Sequence, residues 1–297
     1  MKKHSFYDVF EACVNGKRYR NRPLSHNDMQ MYRFLRAAQE VFKIHYYYGG
    51  AYTYKDESLT FGWQKSRFVA LYEEQLSNKR AAGRKYYDVL VRLAPDNKCQ
   101  VCLLGKVESL DHFLPKESYP SLSISPYNLV PCCLGCNGVK STFKPSSPKR
   151  QAIHYKFDDI FSSDWLQGEY DCVNRKVVFS PNTCLYPEGS VAHARIATHM
   201  EVHGLHSVYE LEALRKTREM VAYAKVEGIS LEEHIHSELS KLADNARFYP
   251  RARHTFDHWK WVTCKALLAS SVFMQSDYQW FENMKRYYLP GEGFEGL

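Results

Sequence analysis

Between residues 27 and 48 the apolar positions Met31, Phe34, Leu35, Ala38, Val41 and Phe42 recur three and four apart. That spacing lays one face of an α-helix against a core, and Ser25 or Asn27 suits the cap. A Gly49-Gly50 pair breaks the run. A second helical pattern follows within Ser66 to Leu93, carried by Phe68, Leu71, Tyr72 and Leu76 and interrupted near Gly83. From 94 to 150 the character changes, because Pro95, Pro115, Pro120, Pro126, Pro131, Pro145 and Pro148 leave no room for a long helix before about Gly135. Val173 to Ser180 reads as a strand with Ser-Pro-Asn as the turn after it. Helical periodicity returns over Val191 to Ala224 and Leu231 to Arg247, and again from about Thr255 to Tyr288, ending at Pro290-Gly291. The expected fold class is α+β, predominantly helical, in three regions: 1–93, 94–150 and 151–297.

Composition narrows the class. The chain has 297 residues, 44% hydrophobic and 25% charged, which excludes a disordered or fibrous protein. Its net charge of +7 is unevenly placed: +7 over residues 1–90, +4 over 91–150 and −4 over 151–297. Such lopsidedness points to a polyanion such as nucleic acid on the first half. Two basic clusters lie there, Lys17 to Arg22 and Asn78 to Lys85, each of which taken alone is a solvated surface. Tyr46, Tyr47, Tyr48, Tyr52 and Tyr54 beside Lys43 and Lys55 suit phosphates and stacked bases. They equally suit an aromatic core, and both can hold at once. No secretory signal is visible, and the longest apolar-leaning stretch, Ala266 to Met274, is far short of a membrane span. The expectation is a cytoplasmic protein without a membrane partner.

Five of the nine cysteines fall between Cys99 and Cys136. Cys99-Gln-Val-Cys102 and Cys133-Leu-Gly-Cys136 are two C-x-x-C knuckles 30 residues apart, a strong signal for one closed tetrahedral zinc site. Four thiolates leave no open position, so such a zinc is structural. Cys132 lacks the spacing and reads as a packed neighbour. Cys13, Cys172, Cys184 and Cys264 read as ordinary buried thiols.

Between the knuckles lies Asp111-His112-Phe113-Leu114-Pro115-Lys116, and around the second lies Asn128-Leu129-Val130-Pro131-Cys132-Cys133-Leu134-Gly135-Cys136-Asn137. Hydrolysing a phosphodiester takes a base to activate water and a hard cation to neutralise charge. His112 suits the base, and Asp111 and Asn137 offer hard oxygens for magnesium or manganese. Lys140, one helical step from Asn137, is either a phosphate contact or a solvated lysine. This arrangement resembles the HNH endonucleases, the zinc-framed branch of the ββα-metal nucleases, in an H-N-N variant with a DHFLPK…NLVPxC…CN core. The resemblance covers about residues 96 to 145, and more loosely His154 to Asp159 and Trp165-Leu166. It implies a ββα-metal finger with a structural four-cysteine zinc site between helical flanks. It further implies Asp111 and Asn137 as ligands of catalytic Mg²⁺ or Mn²⁺, His112 as general base, and Asn128 as the residue that positions the His112 loop. The implied activity is metal-dependent endonuclease cleavage, with DNA favoured as substrate.

His154 is then a candidate at the rim of the site, or else a structural hydrogen-bonding residue. His199-Met-Glu-Val-His203 lacks the H-E-x-x-H order and reads as structural histidines on a helix face. By analogy with extended HNH proteins, the chain is a candidate effector of a bacterial anti-phage system with an ATPase subunit as partner. Two alternatives stand beside the nuclease: a zinc-ribbon module that binds nucleic acid or scaffolds a complex without cutting, and a nuclease directed at RNA.

Overall fold

The structure, a computed structural model, describes residues 5–15, 23–48, 50–58, 62–248 and 256–283. The basic cluster Lys17 to Arg22 and the end of the last predicted helix lie outside them. The fold is α+β and predominantly helical. Its contacts divide it into two units, Met1–Ser163 with Glu188–Gly204, and Asp164–Pro187 with Leu205–Leu297.

In the first unit, α1 (Phe6–Asn15) and α2 (His26–Tyr48) each start from a reciprocal Ser–Asp cap. Ser5 N–H and Ser25 N–H donate to Asp8 and Asp28, whose own N–H groups donate back to the serine hydroxyls. Free N–H groups at the helix start are satisfied in this way, and the choice between Ser25 and Asn27 falls to Ser25. Helix α3 (Lys65–Ala70) continues as a wider π-type turn over Leu71–Leu76, and α4 (Arg84–Arg92) follows the break at Gly83. Phe10, Met31, Leu35, Phe68, Leu76 and Leu90 from these helices share one core with Leu110, Ile124 and Leu129. The segment bearing the candidate site is therefore built onto the helical body.

Its frame is the antiparallel hairpin of β1 (Ser109–His112) and β2 (Leu129–Cys132), in the register Ser109↔Cys132 to His112↔Leu129. Leu110 and Pro131 face each other with their backbone groups turned outward. Leu110 N–H donates to the Tyr87 hydroxyl, Leu110 O accepts from the Tyr72 hydroxyl, and Pro131 O accepts from Gln100 N–H. Proline's missing donor costs nothing at such a position, and the two tyrosines close the outer edge of β1. Helix α5 (Leu134–Lys140) begins directly after β2 with Cys133 as its cap. It stops at Lys140. Helix α6 (Val191–Val202), capped by Ser190, completes the unit.

The second unit pairs β3 (Leu166–Asp171) with β4 (Lys176–Pro181) and surrounds them with α7 (Leu205–Glu227), α8 (Leu231–Phe248), α9 (His258–Ala269) and α10 (Tyr278–Asn283). Trp165, Phe179, Tyr209 and Phe273 are fully buried rings at its centre. The pattern missed β3, because Leu-Gln-Gly-Glu-Tyr-Asp carries no alternation of apolar residues. Residues 172–175 form the hairpin turn, with Arg175 at φ +50°, so the strand begins three residues later than expected. One continuous helix over 191–224 is corrected to two: Gly204 at φ +62° takes the left-handed conformation that ends α6. Cys13 and Cys264 are buried, whereas Cys172 and Cys184 are exposed, the first within the β3–β4 turn and the second just after β4. No helix among the described residues is long and apolar enough to cross a membrane.

Candidate functional site

Cys99, Cys102, Cys133 and Cys136 converge, their sulfurs all within 4.8 Å of one another. A tetrahedron with metal–sulfur bonds of about 2.3 Å has edges of about 3.8 Å, so the cluster could hold one zinc ion. Cys132 stays out of it, with its sulfur 3.4 Å from the Ser109 hydroxyl. Each knuckle is shaped to present thiolates. Gly105 N–H donates to Cys102 Sγ and Cys136 N–H to Cys133 Sγ, both at 3.4 Å, and Leu103 takes φ +57° to close the first turn. Mutual hydrogen bonds within the cluster pull the Cys133 thiol far below its ordinary pKa and push those of Cys99 and Cys136 above theirs, so one sulfur takes the negative charge first, whereas a metal ligand set requires all four as thiolates.

Gly105 was not singled out in the sequence, although a glycine three residues after a knuckle is the available signal. A Cβ there would stand 3.1 Å from Cys133 Cβ and 3.3 Å from its sulfur. Gly105→Val is expected to lower zinc occupancy well below one ion per chain, measured with a chromogenic chelator, while Gly138→Ala, where a Cβ meets nothing within 4 Å, leaves it at one.

On the hairpin, Asp111 and His112 are adjacent and buried. The His112 ring lies edge to face with Tyr72, centroids 4.3 Å apart, and its Nε2 is 2.8 Å from Ser123 O. A carbonyl only accepts, so Nε2 carries the proton and Nδ1 keeps the lone pair. Burial pushes the His112 pKa down to about 4, which leaves the ring neutral at pH 7. A neutral, oriented imidazole is a competent proton acceptor.

Asn128, fully buried, closes the loop that returns from His112. Its Oδ1 accepts from Leu114 N–H at 2.7 Å, and its Nδ2 donates to Leu114 O at 2.9 Å and Leu122 O at 3.3 Å. The amide thus imitates one more backbone pair beyond the hairpin. Phe113 N–H adds a bond to Asn128 O, and the Ser123 hydroxyl ties the loop to Phe68 O in α3.

Asn137 sits in the middle of α5 and donates through Nδ2 to Ser109 Oγ at 3.1 Å, which commits its nitrogen and not its carbonyl oxygen. Burial raises the Asp111 pKa while Lys140 opposes the rise. The Lys140 ammonium is buried too, 3.0 Å from Asp111 Oδ2 and 2.6 Å from His112 O. The sequence offered a phosphate contact or a solvated lysine; in the fold Lys140 is neither exposed nor turned to solvent. One carboxylate and one amide oxygen are the hard donors that Mg²⁺ or Mn²⁺ takes beside water, and the Asp111 carboxylate already faces a cation. The donor types suit such an ion, while both oxygens of the Asp111 carboxylate are taken by the Lys140 ammonium.

His154 lies behind this layer. It is fully buried, donates from Nε2 to Tyr127 O at 2.9 Å, accepts from Lys156 N–H and packs 4.7 Å from the Phe113 ring. Burial drives its pKa down to about 3. Its hydrogen bonds brace the residue before Asn128. Beside it, Arg195 of α6 forks onto both oxygens of Asp158 and donates to the Tyr46 hydroxyl, so Tyr46 belongs to the core. Tyr47 and Tyr48 are exposed. His199 of α6 and His203, the residue that caps its end, are buried, the first with Nε2 3.0 Å from Val101 O inside the first knuckle, which agrees with a structural role. Tyr72, Tyr87 and Arg195, which hold the strand edge and the supporting layer, gave no signal in the sequence because each acts through a partner distant along the chain.

The chain is similar to two curated proteins. It is 30% identical over 179 residues to "Protein ea31" of Escherichia phage lambda, covering 56% of this chain and 59% of the phage protein. It is 36% identical over 78 residues to "Septu protein PtuB" of Bacillus thuringiensis, covering 24% of this chain and 30% of that protein. The chain thus spans less than two thirds of either relative. No family model matches it, and no solved structure does.

Proposed function

We propose that the protein is a metal-dependent endonuclease of the HNH type, with DNA as the favoured substrate and His112 as the general base. The observation that carries this reading is the buried His112 imidazole, its Nε2 2.8 Å from Ser123 O and next along β1 to the buried Asp111 side chain. Asn137 stands on the helix that follows the second strand, which is the order strand, strand, helix that the resemblance calls for. His112 Nδ1 takes a proton from the attacking water, Asn128 keeps the loop that bears His112 in place, and the Asp111 and Asn137 oxygens would hold Mg²⁺ or Mn²⁺. That ion, when bound, neutralises charge on the phosphate and the leaving 3′-oxygen. The products are a 5′-phosphate and a 3′-hydroxyl. Zinc in the four-thiolate cluster is structural: it pins the knuckles on either side of the hairpin and performs no step.

The same proposal includes a cytoplasmic role as effector of a bacterial anti-phage system, with an ATPase as partner. The similarity to a Septu protein supports the defence role alone. The test uses the purified full chain on supercoiled plasmid and, in parallel, on a structured RNA, with Mg²⁺, Mn²⁺ or EDTA. Nicking or linearisation of plasmid that needs the divalent ion, with ends that ligate directly, is the expected result. Cleavage of RNA alone would move the substrate assignment. DNA cleavage that persists in EDTA would overturn the metal mechanism.

A further inference from the structure

Lys140 occupies a place that a divalent ion would need. Its ammonium is 3.0 Å from Asp111 Oδ2 and 3.3 Å from Asp111 Oδ1, so both carboxylate oxygens face it, and it donates to His112 O at 2.6 Å. The side chain is 3% exposed and that of Asp111 is 9%. This is a buried, closed pair, in which each charge is costly without the other. Lys140 ends α5 three residues after Asn137 and the turn reverses there, with Ser141 at φ +48° and Phe143 N–H bonded to Lys140 O. The backbone thus fixes the root of the lysine close to the carboxylate that it covers. A metal ion on Asp111 sits about 2.1 Å from a carboxylate oxygen, and a dication there cannot share the same pair of oxygens with an ammonium at about 3 Å without strong repulsion.

We propose that Lys140 is an internal counter-ion that holds Asp111 closed, and that a divalent metal enters only as the Lys140 ammonium leaves the carboxylate. The inference rests on the metal assignment of the proposed function and adds to it a competitor built into the chain. Metal affinity in the free protein is then set by an exchange of cations on one carboxylate. Whatever draws the ammonium away raises that affinity, because the two equilibria are linked.

The experiment measures Mn²⁺ binding to the full chain, preloaded with zinc, by electron paramagnetic resonance of the free ion. Lys140→Met and Lys140→Gln are compared with the parent; the glutamine variant keeps a donor for His112 O and removes the charge. Both are expected to bind Mn²⁺ at least tenfold more tightly, and adding Asp111→Asn to either is expected to abolish the gain. Equal or weaker binding in both Lys140 variants overturns the counter-ion role, even where Asp111→Asn shows that the parent binds metal at this carboxylate. Mn²⁺ binding indifferent to Asp111→Asn overturns the metal assignment as well. A second readout uses the unmutated chain: the buried ammonium gives a slowly exchanging ¹⁵N signal, which saturating Mg²⁺ is expected to remove. Its persistence at saturation overturns the proposal independently of any variant's folding.

Discussion

Replacing His112 by alanine is expected to slow divalent-metal-dependent plasmid cleavage by about 10²- to 10⁴-fold, the contribution of a positioned general base, with zinc unchanged at one ion per chain. The ring is fixed on one side by Tyr72 and at Nε2 by Ser123 O, so Nδ1 is the nitrogen left to accept a proton. The sign of the pH dependence follows from burial. The neutral form is the active one, and with a pKa of about 4 the ring takes up a proton only as pH falls toward that value, well below the ordinary value of about 6.5. The cleavage rate is accordingly expected to show no break near the ordinary histidine pKa of about 6.5 as pH is lowered from about 8 to about 6. A break there that His112→Ala removes would mean that the ring is solvated. Unchanged cleavage by His112→Ala, with zinc retained, would remove the proposed mechanism altogether.

How much of this could be read from the chain depends on how local each signal is. The two C-x-x-C knuckles fixed their own turns, so their convergence was legible. Helix α2 was legible from its apolar spacing, and its start only as Ser25 or Asn27, a choice that the bonds between Ser25 and Asp28 decide. Asp111, His112, Asn128 and Asn137 were singled out by order and resemblance, which could not say how each is held. Lys140 shows the gap most clearly. Its place one helical step from Asn137 was visible, but whether its charge meets solvent or Asp111 depends on how α5 lies across β1, and nothing local encodes that crossing. Strand β3 was missed for a related reason. Its residues are half-buried, with a glycine and two acids among them, and the pairing with β4 supplies the order that the sequence pattern lacks.

Cys136→Ser, or prolonged chelation of the unmutated chain, is expected to cost the first unit its fold, while Cys132→Ser leaves both zinc and melting temperature nearly unchanged. Structural zinc bound by four thiolates contributes about 10–16 kcal/mol in small zinc-finger peptides, which matches or exceeds the roughly 5–15 kcal/mol that holds a whole domain. Within the hairpin segment itself there is little to replace it beyond the packing of Leu110, Ile124 and Leu129 on the helical core. The hairpin has two strands of four residues each, a size that is not stable alone, and α5 is a seven-residue helix that depends on its packing. The cluster is also tied outward, since Gln100 N–H bonds Pro131 O across the hairpin and His199 bonds Val101 O inside the first knuckle. Loss of the ion therefore loosens the strand that carries Asp111 and His112 together with the seat of α6. Circular dichroism and a zinc assay on the same samples make the check: helical signal falling in step with zinc in Cys136→Ser, and neither falling in Cys132→Ser. A Cys136→Ser chain that loses its zinc yet keeps its melting temperature would show that the helical core of α1 to α4 holds the hairpin by itself, and the structural role given to the cluster would fall.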